Sequence, residues 1–223
     1  MTVTTFQRAR SEEQRAARRR AILGTAAAML TQMPVAELSL NELSRRVGLA
    51  KSNVLNYFES REAVLLELAA AELEHWVDDL TSALGDISPD DPIAERAELL
   101  VSNLVSTLAG RPVFCDLISS QAAVLERNVS TEVVLAYKRA AVVSLTRMVE
   151  AVVRALPEIG ADGATRLLSS GSLLAGAIWT HSHPAPPVLE AYEADPTLAP
   201  LRMEFRPALT DALTTLLQGL LPR

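Results

Sequence analysis

The sequence predicts an all-α protein in two parts, a small three-helix head carrying a helix-turn-helix and a larger helical body. Three observations predict it. Nearly half the residues (49%) are apolar, only 4% are aromatic, there are nine Gly, and Ala and Leu dominate, a composition that favours helices over strands. Apolar residues recur at three- and four-residue spacing through most of the chain between its breakers. The charge is also divided. Met1–Arg61 holds ten Lys/Arg against five Asp/Glu, a net of +5, whereas Glu62–Arg223 holds eleven against twenty-two, a net of −11. The overall −6 therefore hides a basic head on an acidic body, the pattern of a chain that meets nucleic acid with one end; chance clustering of surface charge is the plainer alternative. The 223 residues suffice for one large domain or two small ones, and the boundary is expected between a head of 1–63 and a body of 64–223.

Helix 1 is expected from Glu12 to about Met33. Ile22, Ala26, Met29 and Met33 form its apolar stripe, and Pro34 stops it. Arg15, Arg18, Arg19 and Arg20 form a basic arm, either solvated or in contact with phosphate or the minor groove. Arg18–Arg20 before Ala21–Leu30 mimics a twin-arginine leader, but the apolar run is short, interrupted by Gly24 and Thr25, and flows into the next helix, so a folded helix is expected.

Ser39–Arg61 (SLNELSRRVGLAKSNVLNYFESR) is the most densely patterned stretch of the chain. Ser39 is a strong N-cap and Glu42 stands three residues on, a capping box; Leu38 and Leu43 form a hydrophobic staple. Helix 2 then runs to about Val47. Gly48 ends it, because a sharp turn with positive φ is least strained at glycine, and Leu49 anchors the turn. Helix 3, Ala50 to about Asn56, is expected to bury Val54, Leu55 and Phe58 and to present Lys51, Ser52, Asn53, Asn56 and Tyr57. A capped helix, an apolar–Gly–apolar turn and a short polar helix make a helix-turn-helix whose second helix enters the major groove.

At these residues the chain resembles the tetracycline-repressor (TetR) family of transcriptional regulators. The family pattern stands here as Ser39, Leu43-Ser44, Val47-Gly48-Leu49-Ala50 and Tyr57-Phe58-Glu59-Ser60-Arg61-Glu62. The resemblance covers about Ile22 to Leu66. It implies DNA contacts at Ser39, Lys51, Ser52, Asn53, Asn56, Tyr57 and Arg61. It also implies a homodimer paired through the last two long helices, a palindromic operator, and a small-molecule effector in the body. One departure is Leu55, where many members carry a Tyr that holds a phosphate; that contact passes to Asn56 or Tyr57 or is absent.

The rest of the chain reads as helices. Ser60 caps helix 4, Arg61 to about Leu84, with Val64, Leu65, Leu68, Ala71, Leu73 and Trp76 as its stripe. Gly85–Pro92 is a loop. Ile93–Ala109, Arg111–Gln121 and a turn over Ala122–Asn128 follow, then Thr131–Leu156. Pro157–Asp162 is a break. Ala164–Thr180 is rich in small residues, His181–Pro187 is a stiff loop, and Val188–Ala194 a helical turn. Leu198–Leu220 is the expected last helix, with Leu201, Phe205, Leu209, Leu213, Leu216 and Leu220 in register and Pro207 as a kink or the true start. The small-residue helix and the leucine-rich helix suit the dimer seam, or an intramolecular core.

Other chemistry is thinly represented. Cys115 is the single cysteine, which excludes an intrachain disulfide, fits a cytoplasmic setting, and beside Phe114 reads as a buried inert thiol. His181 and His183 have no third ligand nearby, so no metal site is expected, and no cofactor motif or catalytic constellation stands out. Neither does any stretch long and apolar enough for a membrane span. An effector pocket would be walled by Trp76, Leu104, Phe114, Cys115, Tyr137 and Trp179, all of them equally at home in plain core. Their lack of charge suits an apolar or neutral ligand. The expected function is a non-enzymatic, one-component regulator, a repressor released by its ligand. The alternatives are a sequence-indifferent DNA-binding protein and an enzyme built on the body.

Overall fold

The computed structural model describes residues 3–222, with side chains from residue 12, and every regular element among them is helical. Ten α-helices follow in order: α1 Val3–Leu30, α2 Leu40–Val47, α3 Lys51–Leu55, α4 Arg61–Gly85, α5 Ile93–Ala109, α6 Pro112–Ser120, α7 Thr131–Ala155, α8 Gly160–Ser182, α9 Pro186–Ala194 and α10 Phe205–Gln218. The all-α expectation is met.

Several boundaries differ from the sequence reading, each for a local reason. α1 begins earlier and stops at Leu30, because the residue before Pro34 is pushed out of helical geometry and the chain turns at Thr31–Met33. Residues 121–125 wind as a π-type turn and 126–128 as a tight 3-10 turn, so α6 flows irregularly toward α7. α8 starts at Gly160, whose φ of 63° and ψ of 179° suit glycine alone, and runs through His181, so that histidine lies on a helix rather than in a stiff loop. The last helix is shorter than Leu198–Leu220. Residues 196–201 form a 3-10 turn, and Pro207 falls in the first turn of α10, where its missing N–H is harmless.

Two apolar cores share the spine α4. The first gathers α1, α2 and α3 around Ile22, Met29, Leu38, Leu43 and Val54, all fully buried, and takes the α4 residues Ala63 to Ala69. The second begins at Leu73 and Trp76 and fills the body with α5, α7, α8 and α10. The first core reaches past position 63 along α4, and three body residues, Leu117, Leu125 and Tyr137, belong to it. α10 packs against α8 and α5. Leu209, Leu213 and Leu217 are turned into this chain's own core, so Leu213 is an intramolecular residue and not an exposed seam leucine.

Candidate nucleic-acid interface

The head is held by helix-end chemistry. Ser39 is extended (φ −105°, ψ 149°) and its hydroxyl accepts the Glu42 N–H at 3.2 Å. The reciprocal half of the expected capping box is missing. The Glu42 carboxylate instead receives Arg45 at 2.6 and 2.8 Å and Arg46 at 2.9 Å. Those two guanidinium groups hold its pKa down to about 2. At the other end Gly48 adopts φ 74°, ψ 32°. Its N–H meets Arg45 O at 3.2 Å and the Leu49 N–H meets Ser44 O at 3.0 Å, the two bonds of a Schellman stop. The turn aims α3 away from α2.

α3 rests on fully buried Val54, and Phe58 just beyond it is buried as well. Lys51, Ser52 and Asn53 occupy its first turn and are all exposed, with Asn56 exposed at the far end and Tyr57 half-buried. Leu55 was expected inside; it is 41% exposed. Five residues make little more than one helical turn, so only Val54 can face the core squarely.

The basic arm divides. Arg19 bolts the head together: it forms a two-pronged ion pair with Glu67, donates to Tyr57 O at 2.5 Å, and lies 4.3 Å over the Phe58 ring. Arg15 donates to Asn56 O at 3.2 Å. Arg61 is turned inward, donating to Leu38 O at 2.8 Å and to Glu62 at 3.0 Å. Arg18, Arg20 and Lys51 stay exposed. The exposed cations and the first turn of α3 thus offer positive charge and hydrogen-bonding side chains, while Arg19 and Arg61 hold the frame.

The body contains a cavity of about 470 Å³ between α4, α6, α7, α8 and the π-type turn. Of the six wall candidates, Trp76, Phe114 and Tyr137 line it. Leu104 is plain core. Cys115 is fully buried with its thiol against Leu108 O at 3.3 Å, and burial, helped by Asp116, pushes its pKa up to about 12. Trp179 lies at the far end of α8, stacked on His183 at 3.8 Å and edge-on to Phe205. Gln121 and Ser119 also line the cavity; sequence reading missed them, because the only local hint was the polar break after α6. Among the described residues no cluster of three or more His, Cys, Asp or Glu is placed to hold a metal. No described helix is long and apolar enough to cross a membrane.

Comparison with known proteins fixes the family. The model of the tetracyclin repressor-like C-terminal domain matches residues 70–223, more than half of the chain. No curated protein matches the sequence. A TetR transcriptional regulator from Rhodococcus sp. RHA1 superposes with a TM-score of 0.57 at 12% identity, covering 92% of this chain and 95% of its own. A TetR-family regulator from Mesorhizobium loti MAFF303099 gives 0.56 at 15% identity, with 92% and 96% covered. A third, from Shewanella sp. PV-4, gives 0.53 at 15%, with 92% and 99% covered. At such identities these structures establish the shared fold, head included. With a matched C-terminal domain on that fold, the chain belongs to the TetR family of transcriptional regulators.

Proposed function

We propose that this DNA-binding regulator is a homodimeric repressor released from a palindromic operator by a small molecule bound in the body. The observation that carries the DNA half of the reading is the first turn of α3. Lys51, Ser52 and Asn53 stand exposed together on a helix whose buried side, Val54, is locked by the Gly48 turn. Asn53 is the base reader, able to pair bidentately with adenine, with Lys51 and Ser52 beside it. Asn56 and Tyr57 lie at the phosphate rim, and Ser39 and Arg61 act by fixing the two helix starts.

Dimerisation supports this reading physically, since two recognition helices must meet half-sites about 34 Å apart or a multiple of it. α8 supplies the apolar part of the seam: Leu173 is 77% exposed, with Leu174 beside it. α10 runs alongside α8 and adds a mainly polar rim, because its leucines face inward. The cavity walled by Trp76, Phe114 and Tyr137 is the effector site. The protein works in the cytoplasm, where the chromosome is.

A mobility-shift titration on DNA upstream of the protein's own coding sequence, with mixed-sequence competitor, tests the reading. A retarded band that survives the competitor is expected. Asn53→Ala should cost about 1–3 kcal/mol and relax preference at one base pair per half-site. Equal weakening on every sequence would make Asn53 a backbone contact. Loss of the native band to competitor would leave a sequence-indifferent binder.

A further inference from the structure

The cavity wall carries serine, threonine, glutamine and tyrosine side chains but no charged one. The wall therefore offers a ligand carboxylate or ammonium no charged partner, and two of its hydroxyls, those of Ser169 and Ser172, stand on the solvent-exposed side of α8. The polar groups are not equivalent. The Ser119 hydroxyl is returned to Asp116 O at 2.7 Å and that of Thr180 to Gly176 O at 3.1 Å, so both already have helix partners. Tyr137 and Gln121 differ. Tyr137 is 7% exposed, and its hydroxyl donates to Gln121 Oε1 at 2.7 Å. The Gln121 amide donates in turn to Glu126 at 2.7 Å. The phenolic oxygen keeps an acceptor site, and its O–H can turn from Gln121 Oε1 to donate to a ligand oxygen instead.

Tyr137 also belongs to the head. Its ring lies in the same apolar cluster as Val54, Phe58 and Leu66. It also lines a second cavity, of about 490 Å³, between the head and the start of α7, together with Phe58 and Glu59. Seven residues earlier on the same helix, roughly 10 Å along its axis, the α7 start is tied to the head. Glu59 accepts the Ser130 N–H at 2.5 Å, and Ser60 donates to Asn128 O at 3.3 Å. Glu59 and Ser60 lie between α3 and α4.

Resting on the reading of this cavity as the effector site, we propose that Gln121 and Tyr137 are its polar recognition point. They select a neutral, largely apolar ligand with one hydroxyl or carbonyl group, and Tyr137 passes occupancy to the Glu59–Ser130 tie. A ligand oxygen that takes over the tyrosine hydroxyl frees Gln121 and shifts the ring. The ring belongs to the same buried cluster as Val54 and Phe58, through which such a shift reaches the head.

The test uses the full chain with pyrene as a fluorescent probe lacking hydrogen-bonding groups, and 1-decanol and decanoate as competitors. Pyrene should bind, and decanol should displace it at a concentration at least tenfold below that of decanoate at neutral pH. Tyr137→Phe keeps the ring and loses only the hydroxyl, so the decanol needed, scaled to the variant's own pyrene affinity, should rise three- to tenfold. Amide exchange reads the second half. Saturating decanol should change exchange at least threefold in the segment 56–62 of the native chain and leave it unchanged in Tyr137→Phe. If pyrene fails to bind, the cavity reading falls and takes this proposal with it. If pyrene binds but decanoate competes as well as decanol, or Tyr137→Phe discriminates like the native chain, only the recognition point is wrong. An unaltered 56–62 segment, or the same alteration in Tyr137→Phe, overturns the route to the head.

Discussion

The head and the body solve opposite problems with the same secondary structure. The head must hold a five-residue helix, too short to be stable alone, in one fixed pose. It does so with two local devices, the Ser39 cap and the Gly48 turn, and with one distant bolt, Arg19 to Glu67 and Tyr57. The body has long helices that need little local help, and it keeps a cavity instead of closing its core. Its fixing contacts are long-range. Arg96, 5% exposed, pairs with Glu158 at 2.6 and 3.0 Å and caps Ala155 O at 3.1 Å, 59 residues away. The lesson is that the pose of the head starts from caps and turns written locally, whereas the body depends on how distant segments meet.

The largest expected effect asks whether the two parts unfold separately. Both tryptophans, Trp76 and Trp179, lie in the body, so their fluorescence reports that part alone, while far-UV circular dichroism reports the whole chain. Leu213 is 2% exposed and lies against Gly171. Leu213→Ala should cost about 2–5 kcal/mol. Because Leu117, Leu125 and Tyr137 of the body sit in the head's core, both signals should shift together in a urea titration. A helical signal that persists after the tryptophan transition would mean that the head folds on its own.

Next come two glycines with positive φ, one in each part. Nothing lies within 4 Å of a Cβ built on Gly48 or Gly160, so the cost of Ala at either is conformational. Gly48 sits in the ordinary left-handed well, and Gly48→Ala should cost about 1–2 kcal/mol. Gly48→Asn should recover part of that loss, since Asn tolerates this well. Gly160, with ψ near 179°, lies in the region that only glycine visits. Gly160→Ala should cost about 1–3 kcal/mol, and Asn should not help. Urea midpoints of the four variants decide it; rescue of Gly160 by Asn would show that the α7–α8 link relaxes.

These positions also show what could be read from sequence. Ser39 and Gly48 were legible because a single residue type satisfies a single backbone geometry, whereas Pro207 fitted a kink as well as a helix start. The exposure of Leu55 was not, since periodicity needs more than one turn to choose a face. The inward facing of Leu213 was not either, because an apolar stripe looks the same against its own chain as against a second copy. The π-type turn at 121–125 carries no distinctive spacing. The candidate base readers on α3 follow from local pattern. The cavity does not: three of its six named wall residues lie elsewhere, and Gln121 enters only through a turn the sequence does not announce.

A smaller effect separates the parts by charge. Lys51→Ala should lower DNA affinity on all sequences and reduce the slope of log affinity against log salt by about 1. Lys138→Ala, on α7 and already paired with Glu126 at 2.6 Å, should leave that slope unchanged. Anisotropy titrations from low to moderate salt measure both, and an equal loss at Lys138 would extend the DNA-facing surface onto the body.

The smallest effect concerns Glu42, one of the acidic residues of the basic head. Its carboxyl is held at about 2 by hydrogen bonds from Arg45 and then Arg46, below the roughly 4.3 of a free glutamate. A depressed folded pKa means that the unfolded chain takes up the proton first as pH falls. The stabilisation is therefore fully present above about pH 4.3 and is lost between there and about pH 2. The cluster is solvated, so salt should screen it and its size should be modest. Glu42→Gln should unfold at lower urea than the native chain at pH 6 in low salt. The gap should close as pH approaches 2, and it should close at pH 6 in 1 M salt. The same substitution removes one negative charge next to two arginines, so non-specific DNA binding should tighten slightly even as the head loosens. That opposition is what the comparison of head and body predicts, since in the head a residue that fixes the fold also tempers the charge that meets DNA. A gap that stays constant across pH would place the role of Glu42 in helix packing rather than in its charge.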